Sequence, residues 1–245
     1  MMAKVVLIIQ ARMGSTRLPG KSMMPLCGKP LVGHILERVA QCKSVDEIIL
    51  VTSTDAENDI LVNLAQEHAV SVFRGSENDL LERYFFAALQ CEADVVLRLP
   101  ADNVCSEAEE FDRLVDYHLN STNDFSSNIC NFKGNGYPDG IGVEAIDFEA
   151  LKSAHHENFA PQNREHVATN FYDYVNDRLP EGTRFKVGTI RCPKDIARPD
   201  IVLDVNTPED YELMRKLYLD LYPKDPSFNI RDVIEWFDRR KEQTI

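Results

Sequence analysis

Four short apolar runs, three of them followed by a segment of helical periodicity, fill the first hundred residues, and that alternation leaves few folds open. Val5–Gln10 (VVLIIQ) is nearly continuously apolar, as a parallel strand buried on both faces must be. Residues 30–42 follow, with Leu31, Ile35, Leu36 and Val39 on one helical face. The pattern then predicts a strand over 47–52, a helix over 57–68, a short strand over 70–73, a helix over 78–91 capped by Asn78 or Asp79, and a buried strand over 94–99. A β-α-β-α-β-α-β order implies an α/β protein built on a doubly wound, mainly parallel sheet.

Beyond a predicted helix over 107–119 the pattern loosens. Residues 122–142, rich in Asn, Gly and Ser, read as strand plus loop; further strands are predicted over 143–146, 185–190 and 201–205, with helices over 148–156 and 163–176. Helices over 207–219 and 230–241 close the chain, the first with Thr207 as cap and Pro208 at its first position. The aromatic stripe Tyr84-Phe85-Phe86 reads as core packing, whereas His155-His156 and the acidic run 107–110 read as solvated surface. There is no internal repeat, low-complexity tract or linker, so residues 1–245 read as one domain, with an ordered half (1–120) and an elaborated half (121–245).

Charge narrows the function. A net charge of −13 argues against a nucleic-acid partner, which a basic face would grip. The balance is uneven, however: residues 1–43 hold seven Lys or Arg against Glu37 alone. A basic island in an acidic chain points to a small anion. The six cysteines are scattered without a C-x-x-C pair, which reads as thiols in a reducing compartment rather than a disulfide framework or a zinc site. No apolar run approaches the ~20 residues that cross a bilayer, and the N-terminus lacks the features of a secretory signal. The expectation is a cytoplasmic protein without a membrane partner.

The island centres on residues 10–21, QARMGSTRLPGK, just past the first strand. In an open α/β sheet, ligands sit outside the carboxyl ends of the strands. Here Gly14 and Gly20 let the backbone approach a ligand, and Arg12, Arg17 and Lys21 supply three cations, a combination suited to a triphosphate. The bland alternative is a Gly/Pro turn with solvated charges. Five residues separate Gly14 from Gly20-Lys21-Ser22, one too many for a Walker A loop, and a dinucleotide G-x-G-x-x-G is absent.

Ala11-Arg12-Met13-Gly14-Ser15-Thr16-Arg17-Leu18-Pro19-Gly20-Lys21 resembles the signature loop of the sugar-acid cytidylyltransferases, which make CMP-ketodeoxyoctonate and CMP-sialic acid. It is most similar to the branch named for spore coat polysaccharide biosynthesis protein F. Phe73-Arg74-Gly75-Ser76-Glu77-Asn78-Asp79, Leu81-Glu82-Arg83-Tyr84, Arg98-Leu99-Pro100-Ala101-Asp102, Tyr137-Pro138-Asp139-Gly140, Arg164-Glu165-His166-Val167 and the block from Leu203 to Tyr211 continue the resemblance in order along essentially the whole chain.

The resemblance implies a nucleotide-diphospho-sugar transferase (GT-A-like) fold and transfer of CMP from CTP to an anionic acceptor, with release of pyrophosphate, in surface glycan precursor synthesis. It implies Mg²⁺ held by Asp102 and Asp204, and nucleotide contacts from Ala11, Arg12, Met13, Gly14, Arg17, Lys21, Arg74 and Asp102. Arg12, Lys21, Asp102 and Asp204 become the expected catalytic residues; Tyr137, Asp139, Glu144, Arg164 and His166 are expected on the acceptor side. A homodimer formed through the second half is expected as well.

The residue types suit that chemistry. Attack on the α-phosphorus of a triphosphate must overcome strong repulsion, which cations and a hard metal ion offset. Magnesium usually takes one or two carboxylates plus phosphate and water. Taken alone, Asp102 serves equally well as a cap or turn residue, Asp204 as a turn residue before a capped helix, and His166 as either a proton acceptor or an ordinary interfacial histidine. Two departures stand out. Pro100 occupies a position where the family often has a polar residue that reads the base, which leaves GTP or another nucleotide open. Gly142 replaces an acid found in many relatives near the acceptor. Other readings are a glycosyltransferase of the same fold, whose usual Asp-x-Asp triplet is missing, and a non-catalytic nucleotide sensor.

Overall fold

The computed structural model describes residues 3–129 and 132–242; Cys130, one of the scattered cysteines, lies outside them. In chain order the elements are β1 (Val5–Gln10), β2 (Pro25–Leu26), β3 (Lys29–Pro30), α1 (Leu31–Val39), β4 (Glu47–Ser53), α2 (Asp59–Glu67), β5 (Ser71–Gly75), α3 (Leu80–Gln90), β6 (Val95–Pro100), α4 (Ala108–Leu119), β7 (Phe125–Ser127), β8 (Glu144–Asp147), α5 (Phe148–Glu157), α6 (Pro161–Glu165), β9 (Val187–Gly188), α7 (Pro208–Leu221) and α8 (Ile230–Glu242).

Seven strands form one sheet in the order β5-β4-β1-β6-β8-β7-β9, with β2 and β3 a separate two-stranded ribbon. β5, β4, β1 and β6 run parallel, and β8 joins β6 antiparallel, so the sheet is mainly parallel, as the alternating pattern requires. β1 is covered on both faces. Val5, Leu7 and Ile9 pack with α1, α4 and α7, whereas Val6 and Ile8 pack with α3 and α5. That two-sided burial explains the unbroken apolar run. The chain switches direction across the sheet between β1 and β6, and their carboxyl ends open the crevice that such a switch creates.

Several predicted elements differ. The helix expected over 163–176 is instead α6 and a 3-10 turn, Val167–Asn170, separated by an extended His166. Side chains there compete for the backbone: Thr169 Oγ1 donates to the His166 carbonyl and Asn170 Nδ2 to those of Asn163 and Val167. Residues 201–205 form only an isolated bridge, Val202 to Asp139, because their polar groups serve the loops around the crevice instead of a neighbouring strand. The acidic run is solvated only in part: Glu109 is exposed, but Glu110 is buried and accepts from the Tyr137 hydroxyl, while burial pushes the Glu107 carboxyl up to about 7 beside Arg38. His155 stacks on Phe85 rather than standing free. Tyr84 and Phe85 pack as expected, but Phe86 is 42% exposed. Among the described residues Cys27, Cys42, Cys91, Cys105 and Cys192 are free thiols, and no helix is long and apolar enough to cross a membrane.

Candidate active site

The loop after β1 curls around one carbonyl. Met13 O accepts from both Ser15 N and Gly20 N, and Ser22 Oγ donates to Arg12 O. Anchored in this way, the loop sends Arg12, Arg17 and Lys21 into a cleft of about 560 Å³ at the ends of β1 and β6. Lys21 reaches furthest: its ammonium donates to Asp102 Oδ2 at 2.9 Å and to the Val205 carbonyl at 2.8 Å. Arg17 donates to Asn206 Oδ1 at 2.6 Å, and Asn206 Nδ2 in turn donates to Asp204. Arg12 pairs with Glu77 at 2.8 Å.

The opposite wall depends on Gly140. Its φ is +84°, and a Cβ there would lie 2.8 Å from Asp204 N. Only glycine permits that approach, which brings Asp139 beside Asp204. Burial, reinforced by the charges of Asp139, Asp102 and Asp210, pushes the Asp204 carboxyl up to about 6. Thr207 and Asp210 form a reciprocal capping box at the start of α7 and hold the preceding Asp204-Val205-Asn206 segment in place.

The cleft floor is a buried ion pair. Arg98 on β6 and Glu144 on β8 stand opposite in the antiparallel register and meet at 2.5 Å, and Tyr174 OH donates to Glu144 at 2.6 Å. Burial disfavours the Arg98 cation, but Glu144 outweighs it and pushes the guanidinium pKa up. Burial and Glu144 together raise the Tyr174 phenol well above its ordinary value.

Of the residues singled out from sequence, Ala11, Arg12, Arg17, Lys21, Asp102, Asp139, Glu144, His166 and Asp204 line this cleft. Five others lie outside its lining. Met13 donates its N–H to Asn58 and packs its side chain on the core, so it is part of the loop's foundation. A Cβ on Gly14 would face the Glu57 and Glu77 carboxylates. Arg74 braces the end of β4, donating to the Ser53 and Asp55 carbonyls and to Asp59. Tyr137 is fully buried against Glu110 and Arg113. Arg164 turns away from the cleft to Asp79.

Arg98, Asn103 and Asn206 also line the cleft, although sequence reasoning gave them no role. The signal for Arg98 was an arginine inside an otherwise apolar strand, a position that demands a buried partner. The missing acid at Gly142 has a steric cause: a Cβ there would lie 2.4 Å from the Asn128 carbonyl oxygen.

A divalent cation fits this donor set. Burial first, and then the charges of Asp139, Asp102 and Asp210, make ionising Asp204 costly, and an added positive charge would relieve that cost. Among the described residues, His, Cys, Asp and Glu side chains form no closed cage of three or more. One or two carboxylates suffice for a hard ion that completes its shell with phosphate oxygens and water.

The cytidylyltransferase family model matches residues 6–226. Uncharacterized protein MJ1063 of Methanocaldococcus jannaschii is 33% identical over 243 residues, covering 98% of this chain and 92% of that protein. Spore coat polysaccharide biosynthesis protein SpsF of Bacillus subtilis is 31% identical over 222 residues, covering 89% and 87%. A cytidylyltransferase structure from Leptospira borgpetersenii superposes with a TM-score of 0.85 at 29% identity, covering 98% of this chain and 96% of that one. CMP:2-keto-3-deoxy-manno-octonic acid synthetase complexed with CTP shares the fold, with a TM-score of 0.61 at 17% identity over 89% and 99% of the two chains. With nearly its whole length matched, and its basic loop and aspartates gathered in one crevice, the chain belongs to the cytidylyltransferase family of nucleotidyltransferases.

Proposed function

We propose that the protein transfers CMP from CTP to a hydroxyl of a sugar acid or related anionic acceptor, with Mg²⁺ and release of pyrophosphate, to activate a precursor of a surface glycan. In this reading it works in the cytoplasm as a homodimer; residues 1–120 bind the nucleotide, and 121–245 supply the acceptor wall and the dimer surface. The observation that carries the proposal is the convergence of Arg12, Arg17 and Lys21 with Asp102, Asp139 and Asp204 on one cleft.

The reaction forms a bond from the acceptor oxygen to the α-phosphorus and breaks the bond from that phosphorus to the α,β-bridging oxygen. The electron pair leaves with pyrophosphate. Arg12, Arg17 and Lys21 neutralise the triphosphate and steady the leaving group. Asp102 and Asp204 would hold Mg²⁺, which when bound supplies charge stabilisation at the phosphoryl oxygens. His166, which lines the cleft, is the candidate to take the acceptor's proton. Arg98, fixed by Glu144, contributes a permanent positive charge to the floor.

The test is pyrophosphate release from purified protein given each of the four nucleoside triphosphates, Mg²⁺ and a panel of sugar acids. CTP should be preferred, and chelation with EDTA should stop release. Folded protein that releases none from any nucleotide–acceptor pair would overturn the reading.

A further inference from the structure

The block Arg164-Glu165-His166 is divided by the fold. Glu165 and His166 line the main cleft and also a smaller cavity of about 130 Å³ beside it. Arg164 faces the other way. Its Nε and Nη2 donate to Asp79 Oδ2 at 2.8 and 2.6 Å, and Nη1 donates to the His155 carbonyl at 2.8 Å. The Arg164 side chain is only 14% exposed.

Asp79 is divided in the same manner. One oxygen receives Arg164, while the other caps α3 by accepting from Glu82 N at 2.8 Å. The start of α3 and the residues before it, Glu77, Leu80 and Arg83, form one wall of the smaller cavity; Glu165 and His166 form the other, with Gln10, Ala11 and Arg12 between them. The Asp79–Arg164 pair therefore ties the two walls together from behind. Glu77, two residues before Asp79, holds Arg12 of the basic loop. α6 has only five residues and an extended residue immediately after it, so its own hydrogen bonds hold it weakly.

We infer that Asp79 and Arg164 form a clasp that fixes the spacing of these two walls and so orients His166 toward the reacting groups. Arg164 is a positioning residue: it touches neither wall surface of the cavity but sets where His166 stands. The catalytic consequence rests on the cytidylyl-transfer reading above, whereas the clasp itself is a property of the free protein.

Two substitutions separate the clasp from simple loss of structure. Asp79→Asn removes the ion pair yet keeps a good helix cap, and Arg164→Met removes the donors yet keeps the aliphatic stem. Hydrogen exchange by mass spectrometry should show faster exchange over residues 158–171 in both variants, with β1 unchanged. In turnover assays each variant should lose on the order of 10²-fold in kcat, as misplacement of a reacting group by about 1 Å does, with the KM for CTP unchanged. Arg164→Lys should recover part of the loss. The double variant should be no worse than the poorer single variant, because both remove one interaction. Unchanged exchange in both variants, additive losses, or a loss confined to the KM for CTP would each overturn the clasp. Should the native protein release no pyrophosphate, the functional reading fails and the exchange measurement still decides the clasp.

Discussion

The Lys21 ammonium sits 2.9 Å from the Asp102 carboxylate and 2.8 Å from the Val205 carbonyl, so one lysine joins the basic loop, the end of β6 and the segment before α7. The pair is sheltered, with the two side chains 14% and 19% exposed. In the free protein the loop thus pairs with a carboxylate that would hold the proposed metal.

Lys21→Met should lower kcat/KM for CTP by about 10²–10³-fold, the usual loss when one preorganised charge at a developing anion is removed. Steady-state pyrophosphate release measures this. An unchanged kcat/KM would contradict a triphosphate role for the loop.

Asp204→Asn should separate stability from activity. An aspartate in the unfolded chain titrates near its ordinary value of 3.8, and in the folded protein this one is pushed up to about 6. Between those values the folded state holds a proton that the unfolded chain has released, so stability falls as pH rises through that window, and the full penalty stands above it. The asparagine variant should therefore be more stable at pH 7.5 by on the order of 1–3 kcal/mol, while losing transfer activity. Calorimetry at pH 7.5 and pH 4 checks the sign; a gain as large at pH 4 as at pH 7.5 would contradict it.

Glu144→Gln should be strongly destabilising. It leaves the Arg98 cation beneath the cleft without its counter-charge, and breaking a buried pair from one side costs about 3–5 kcal/mol. The thermal midpoint should fall by roughly 10 °C for a chain of this size. Replacing Arg98 and Glu144 together with methionine should recover much of that loss, and a double variant worse than Glu144→Gln would argue against an isolated pair.

Gly142→Ala places a methyl 2.4 Å from the Asn128 carbonyl oxygen. Asn128 has little room to yield, since its side chain accepts from Val143 N at 2.8 Å and donates to Glu110 O at 2.9 Å. Overpacking of this kind costs about 1–3 kcal/mol. Denaturant melts should show the loss; a neutral Gly142→Ala would mean that the segment before β8 shifts freely.

Much of the scaffold is legible in the sequence. The apolar run of β1, the amphipathic faces of α1 and α3, the Asp79 cap and the Thr207-Pro208 start of α7 are local patterns, and the structure reproduces each. The second half was harder to read. His166 interrupts a helix because nearby Asn and Thr side chains capture the backbone, a competition that propensity alone does not decide.

By itself the sequence determined the mainly parallel sheet and the basic loop at the end of its first strand, because strand period, helix period and turn chemistry are short-range properties; the family followed from the resemblance of that loop and the blocks after it. Tertiary structure alone decided which charges meet. Lys21 and Asp102 lie 81 residues apart, Arg164 and Asp79 lie 85 apart, and Arg98 and Glu144 lie 46 apart. Arg74, Tyr137 and Arg164 carry the chemistry expected of ligand contacts, yet they turn toward the body of the protein. A charged or polar side chain takes the partner that best offsets the cost of burying it, and that partner is set by where distant segments cross.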